Sequence, residues 1–403
     1  MRRLRTASAR RLTAIFAVVA GVALTAAVAQ GALTGSGPTP QPKALANAIL
    51  AAFKAPAPQG ITAKIEFSNE LLPSGSLPHG AASPLLSGAD GRLWIQESGD
   101  FRVELQSSAG DAQIVAVGDR ITVYDASSQT LYRLTLPEGA RGESKRDDHD
   151  GETLTLARVQ RALDRLAKTW TVSGAEPTST AGQPTYTVKI SPKDDGGLLG
   201  AAELAWDAVR GAPLRAAVYA QGTSKPVLEL KATDVSYDAV ADSDIRVAPP
   251  ADAEVVDLSA PGGTDHERGG DKRKHQMTRT PPTPAAVQRE LDFDLAAPAL
   301  LAGLPRKEVR LVTFGDDKGA LAIYGEGLGA IAVLQRKAGA NGEKKEGEDE
   351  GLRLPEINID GATGTELATA LGTIVTYERG GVAYVVAGSV PPVAAENAAR
   401  GLR

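Results

Sequence analysis

The side chains most able to do chemistry are few in this sequence. Four histidines occur, His79, His149, His266 and His275, and none has a second histidine two to four residues away, as a helix- or strand-borne paired-histidine metal site needs. Cysteine is absent, which removes thiolate nucleophiles, cysteine-ligated zinc, disulfides and lipid attachment to an N-terminal cysteine. Asp242 and Asp244, and Asp292 and Asp294, are paired carboxylates without the loop of oxygen donors that calcium requires; each pair suits a turn or a helix cap. Gly325, Gly327 and Gly329 lie between two strand-like runs rather than before a helix, so they read as a hairpin and not as a phosphate cradle. No serine elbow or paired-histidine zinc motif is present. The chain reads as a non-enzyme without metal or cofactor.

Charge adds one feature. Arg268, Lys272, Arg273, Lys274, His275 and Arg279 form a basic stretch, either a solvated spacer or a contact for anionic lipid or an acidic partner. The net charge is −5, and no basic stripe with interleaved aromatics marks a nucleic-acid binder. At the N-terminus, Arg2, Arg3, Arg5, Arg10 and Arg11 precede an uncharged run from Leu12 to Ala29 that ends in Ala27-Val28-Ala29. This is an export signal, residues 1–30, cleaved or retained as an anchor, and it places the body outside the cytoplasm.

The elements behind these residues are mostly strands. FRVEL, residues 101–105, alternates apolar and polar side chains, and QIVAV and ITVYD continue the pattern after short turns. Residues 31–42 form a tether, followed by an amphipathic helix over 43–54 with Leu45, Ile49 and Phe53 at four-residue spacing. Residues 72–88 read as a loop, and a second helix over 153–168 carries Leu156, Val159, Leu163 and Leu166. About eleven strands precede Asp257, joined as an antiparallel sheet. Residues 258–284 read as a linker, and 285–403 as a small α+β domain that ends in a helix and contains a charged insertion at 342–350.

The order of motifs resembles the LolA-like family of lipoprotein carriers and RseB/MucB regulators. It is carried by GADGRLWIQESGDFRVEL, IVAVGDRITVYDASSQTLYRL, AELAWDAVRGAPLRAAVYA and KPVLELKATDVSYDAVADSDIRVAPPADAEVV. The resemblance spans residues 43–257. It implies a mainly β fold, an unclosed antiparallel β-barrel whose apolar face is covered by the helices of 43–54 and 153–168. The chain departs from the carriers at the turn before Phe101, where Gln96-Glu97-Ser98 replace an arginine-bearing hairpin, and in its extra C-terminal domain.

By that resemblance the ligand is an acyl chain or a lipidated protein, and the chain is a monomer. Its lining would be Leu45, Ile49, Phe53, Ile65, Phe67, Leu93, Ile95, Phe101, Val103, Leu105, Val123, Leu156, Leu163, Leu204 and Trp206. Two alternatives stay open. One is a regulator that binds a membrane-anchored anti-sigma or signalling partner; the other is that the apolar faces close on one another as an ordinary core.

Overall fold

The computed structural model describes residues 37–72, 83–108, 110–136, 154–193, 197–258, 283–314, 317–339 and 354–403. The export signal, all four histidines, most of the linker and the charged insertion lie outside the described residues. The chain divides into two compact units.

The first unit opens with helix α1 (Leu45–Lys54) and strand β1 (Gly60–Asn69). A four-residue helix, α2 (Pro84–Ser87), sits where the Pro- and Gly-rich stretch reads as loop. A meander follows: β2 (Ala89–Gln96), β3 (Phe101–Ser107), β4 (Gly110–Val117), β5 (Arg120–Asp125) and β6 (Thr130–Thr135). After α3 (Leu156–Leu166) come β7 (Trp170–Val172), β8 (Glu176–Thr180), β9 (Gln183–Pro192), β10 (Leu199–Asp207), β11 (Pro213–Ala220) and β12 (Leu228–Ser236). The short α4 (Asp242–Ile245) and β13 (Glu254–Leu258) complete it.

These strands make one thirteen-stranded sheet in the order β13-β6-β5-β4-β3-β2-β1-β12-β11-β10-β9-β7, with β8 paired to β9. The end strands β13 and β7 do not pair with each other, so the mainly β sheet curls as a half-barrel and stays unclosed. Strand β13 differs from the antiparallel expectation: it lies parallel to β6, Val255 opposite Leu131. Parallel neighbours need a long connection, and the stretch between β12 and β13 carries the chain back across the sheet.

The second unit contains α5 (Pro284–Gln288) and an eight-stranded sheet, β14 (Leu300–Leu301), β15 (Leu304–Phe314), β16 (Asp317–Tyr324), β17 (Ile331–Lys337), β18 (Glu356–Ile359), β19 (Ala362–Thr369), β20 (Gly372–Arg379) and β21 (Val382–Gly388). It ends in α6 (Pro392–Arg400), whose Ala395, Ala398 and Ala399 are fully buried against the sheet. Three small residues on one face let helix and sheet approach closely, and the Tyr377 hydroxyl donates to the Ala399 carbonyl at 2.9 Å. The glycines of YGEGLG link β16 to β17, a strand-to-strand connection.

Candidate functional site

Strand pairing in the first unit places one apolar face with cross-strand continuity. Ile95 faces Phe101, which faces Ala116, which faces Ile121. The next row is Leu93, Val103, Ile114 and Val123. On the other side of β2, Ile61, Ala63, Ile65 and Phe67 extend the face to Ala232 and Leu230 of β12. Alternation with period two causes this, because each strand sends every second residue to the same side. Phe101, Val103 and Leu105 are 3%, 7% and 3% exposed and pack with Ile61, Ile65, Ile95 and Leu214. Phe67 and Leu93 pack at the border of this cluster, and Val123 is half-buried. A third row, Leu105 and Ala112, ends at β5 in Asp125, whose carboxylate accepts from the Ser127 amide and hydroxyl.

Helix α2 closes part of this face. Its Leu85 packs on the cluster, and the helix lies against β1, β3 and β4. Ser83 caps it by accepting from the Leu85 amide, Pro84 occupies the first turn, and the Asn69 side chain donates to the Leu85 carbonyl at 2.8 Å. Gly88 follows at φ +88°, where a Cβ would stand 2.7 Å from the Phe67 carbonyl, so only glycine fits without strain.

The remaining lining candidates gather elsewhere. Leu45 and Ile49 of α1 pack with Tyr186 and Trp206 in a second cluster, under α1 rather than beneath α2. Helices α1 and α3 touch each other, and Leu163 is half-buried. Phe53, Leu156 and Leu204 face solvent, at 43%, 44% and 37% exposure. Four-residue spacing advances each side chain about 40° around a helix, so Phe53 has rotated about 80° from Leu45 and leaves the packed face. Leu156 opens α3, one turn before the buried Val159. Helix α1 therefore covers the Trp206 cluster and α3 packs on α1, whereas the Phe101 cluster has α2 as its helical cover.

The opposite face of β1, β2 and β3 is polar. It borders a cavity of about 560 Å³ lined by Lys64, Asp90, Arg92, Trp94, Arg102 and Glu104, among others. The Arg102 guanidinium lies over the Trp94 ring at 4.9 Å, pairs with Glu104 and donates to the Asp244 carbonyl at 3.0 Å. Burial lowers its pKa, against the charge of Asp244.

Across β9 to β12 the sheet holds a buried ionic set that the sequence reading did not single out. Arg215 donates to Glu229 at 2.5 Å, to Glu203 at 2.6 Å and to the Tyr219 hydroxyl at 3.0 Å. Tyr219 donates to Glu203 at 2.7 Å, and Lys189 stands 3.1 Å from the other Glu203 oxygen. Burial alone would raise the Glu203 carboxyl; hydrogen bonds from Arg215, Tyr219 and Lys189 outweigh it and hold the group below its ordinary value. Burial pushes the Tyr219 phenol up to about 12. The available signal was a charged residue on each of three consecutive strands, at Lys189, Glu203 and Arg215. Asp207, fully buried, pins the β10–β11 turn by accepting from the Val209 and Arg210 amides and from the Tyr237 hydroxyl.

No family model and no curated protein matches the sequence. Among solved structures, the chain is similar to MucB in complex with MucA(peri), at 15% identity, covering 89% of this chain and 96% of that one with a TM-score of 0.40. The MucA/MucB complex of Pseudomonas aeruginosa is similar at 15% identity, 88% and 94% coverage and TM-score 0.39. A LolA superfamily protein from Nitrosomonas europaea gives 13% identity, 51% and 98% coverage and TM-score 0.20. At these scores the likeness assigns neither ligand nor partner.

Proposed function

We propose that this chain is an exported, non-enzymatic binder of an acyl chain or a lipidated protein, which it holds on the apolar face of β1 to β5. The observation that carries the reading is a continuous apolar face on an unclosed sheet, with a four-residue helix as its helical cover. Each buried methylene contributes about 0.8 kcal/mol, so an acyl chain inserting ten of them gains roughly 8 kcal/mol. Against this, α2 offers the burial of Pro84 and part of Leu85, roughly 3 kcal/mol together, and the Asn69 bond, about 1 kcal/mol. Displacing α2 is therefore within reach of the ligand. Such binding needs apolar area and no polar chemistry, which agrees with ionisable groups that are engaged in structural pairs at Arg215, Glu203 and Asp207.

The polar cavity beside Arg102 favours a second reading, a regulator that seats a polar segment of a membrane-anchored partner there. Titration of the exported chain with a hydrophobic fluorescent probe separates the two. Saturable binding that a lysolipid displaces supports the acyl reading; absence of saturable binding by the folded chain refutes it.

A further inference from the structure

The sheet of the second unit has two faces, and α6 packs on one of them. On the other, pairing across β16, β17, β21, β20 and β19 sets Ile323, Ala332, Ala387, Ile374 and Leu367 in one row. The row beside it is Leu321, Leu334, Val385, Thr376 and Thr365. Ile374 is 41% exposed, and the others are half-buried. A sheet face left to water ordinarily alternates to polar residues. Here only the two threonines are polar, and their hydroxyls bond each other at 2.7 Å. The insertion at 340–353, which lies between β17 and β18 in sequence, has Leu352 as its one large apolar residue and cannot cover such a face.

The two rows complement each other in size and charge. A two-fold axis in the sheet plane, running across the strands between the rows, lays each row on the other row of a second copy. Ala332 then meets Leu334 of the second copy, Ala387 meets Val385, Ile374 meets Thr376 and Leu367 meets Thr365, a smaller residue opposite a larger one each time. Glu308 and Arg310 of β15 end the rows, and the same axis sets each opposite the other as two ion pairs. Within one chain they form only a loose, exposed pair at 3.9 Å. Their length keeps the cross-copy pairing within reach when the sheets cross at the usual angle of about 30°. With its flanking rows the face offers roughly 500 Å² on each copy, near the lower bound for a specific interface. An acyl ligand would use the apolar rows and leave Glu308 and Arg310 without a role. We propose that two copies of this chain associate through this face, as a two-fold sandwich of their second-unit sheets. This departs from the monomer that the resemblance implies, and it does not depend on ligand binding by the first unit.

The test is sedimentation equilibrium of the full exported chain from low to high micromolar concentration, where a reversible monomer–dimer equilibrium is expected. Ala332→Arg places a cation where Leu334 of the second copy must sit, and should weaken association at least about a hundredfold. Position 332 alternates away from the buried Val333, so melting of the dilute variant should stay unchanged. Glu308→Arg and Arg310→Glu should each weaken self-association about tenfold, since each sets like charges opposite one another. Mixed in equal amounts, these two variants should associate again, because one copy then brings two cations and the other two anions. A wild-type chain that stays monomeric, an Ala332→Arg variant that still dimerises, or a mixture without recovery overturns the proposal. A monomeric wild type whose hydrophobic-probe binding is abolished by Ala332→Arg also overturns it, and assigns the face to an acyl ligand.

Discussion

Val103→Glu decides whether the apolar face opens. Val103 is 7% exposed, and its register neighbours are Leu93 and Ile114, neither of which offers a side-chain donor. A glutamate carboxyl ordinarily ionises near pH 4.3. If the face stays shut, the introduced carboxyl must be neutral, and protonating it at neutral pH costs about 1.4 kcal/mol per pH unit, about 4 kcal/mol in all. Burying even the neutral group adds to that. The sign follows from linkage: a carboxyl with a raised native pKa leaves the native state holding more protons than the unfolded one, so stability falls as pH rises. A shut face therefore predicts a variant that regains stability on acidification, at about 1.4 kcal/mol per unit down to about pH 4.

An opening face predicts something else. Once α2 lifts, the charge meets water, and the loss cannot exceed the free energy of that local opening. The proposed function requires a small opening cost, so the loss should level off near 1–2 kcal/mol and lose its pH dependence above the levelling point. Urea melts of wild type and variant across the range from about pH 5 to about pH 8 read this directly. The hydrophobic probe titration runs on the same samples. A loss with the full slope, together with wild-type protein that binds no probe saturably, refutes the reasoning.

Arg215→Met strands Glu203 and Glu229 in the buried set and should cost about 3–5 kcal/mol in urea melts; adding Glu203→Gln and Glu229→Gln should restore most of it. Because the Glu203 carboxyl is held low in the native state, its contribution is present above its ordinary value of 4.5 and is lost as pH falls through the native pKa, so Glu203→Gln should flatten the acid limb of the stability curve. Gly88→Ala, at φ +88° and 2.7 Å from a carbonyl, should cost more than about 1 kcal/mol and speed probe entry by loosening the end of α2, as stopped-flow fluorescence will read. The exported chain should begin at Gln30 or within a few residues of it by N-terminal sequencing; a peptide spanning Ala29 and Gly31 in the envelope fraction would show a retained anchor.

The strands were legible because alternation is a local signal: FRVEL sits in β3 with Phe101, Val103 and Leu105 all buried on one side. Helices α1 and α3 were legible from their apolar spacing, to within a few residues at each end, and α6 stands where a terminal helix was expected. What an apolar stripe cannot say is which strand it covers. Leu45 and Ile49 called for a partner, and that partner is Trp206 and Tyr186 rather than Phe101. Helix α2 is too short to show any period, although Ser83-Pro84 before it and Gly88 after it are a cap, a first-turn proline and a stop. The parallel seat of β13 on β6 was hidden for a different reason. Pairing across the sheet is set by the path of the intervening chain, and no pattern within Glu254–Leu258 encodes it.

The two halves of the curled sheet are held by different physics. Around Phe101 the contacts are apolar and without direction, so they tolerate small shifts of a strand or of α2, as the proposed ligand binding there would require. Around Arg215 the contacts are directional. Arg215 stands opposite Lys231, one strand from Glu229 and within 2.6 Å of Glu203. A one-residue slip of β11 on β12 would turn Arg215 to the other face, since side chains alternate with period two. That slip would leave two carboxylates buried without their partner, a penalty an apolar pair would not impose. A buried ion pair is weak evidence for stability by itself, because desolvation offsets most of its attraction. Its effect here is on register: it fixes β9 to β12 by directional bonds, whereas the face of β1 to β5 under α2 is held by apolar packing.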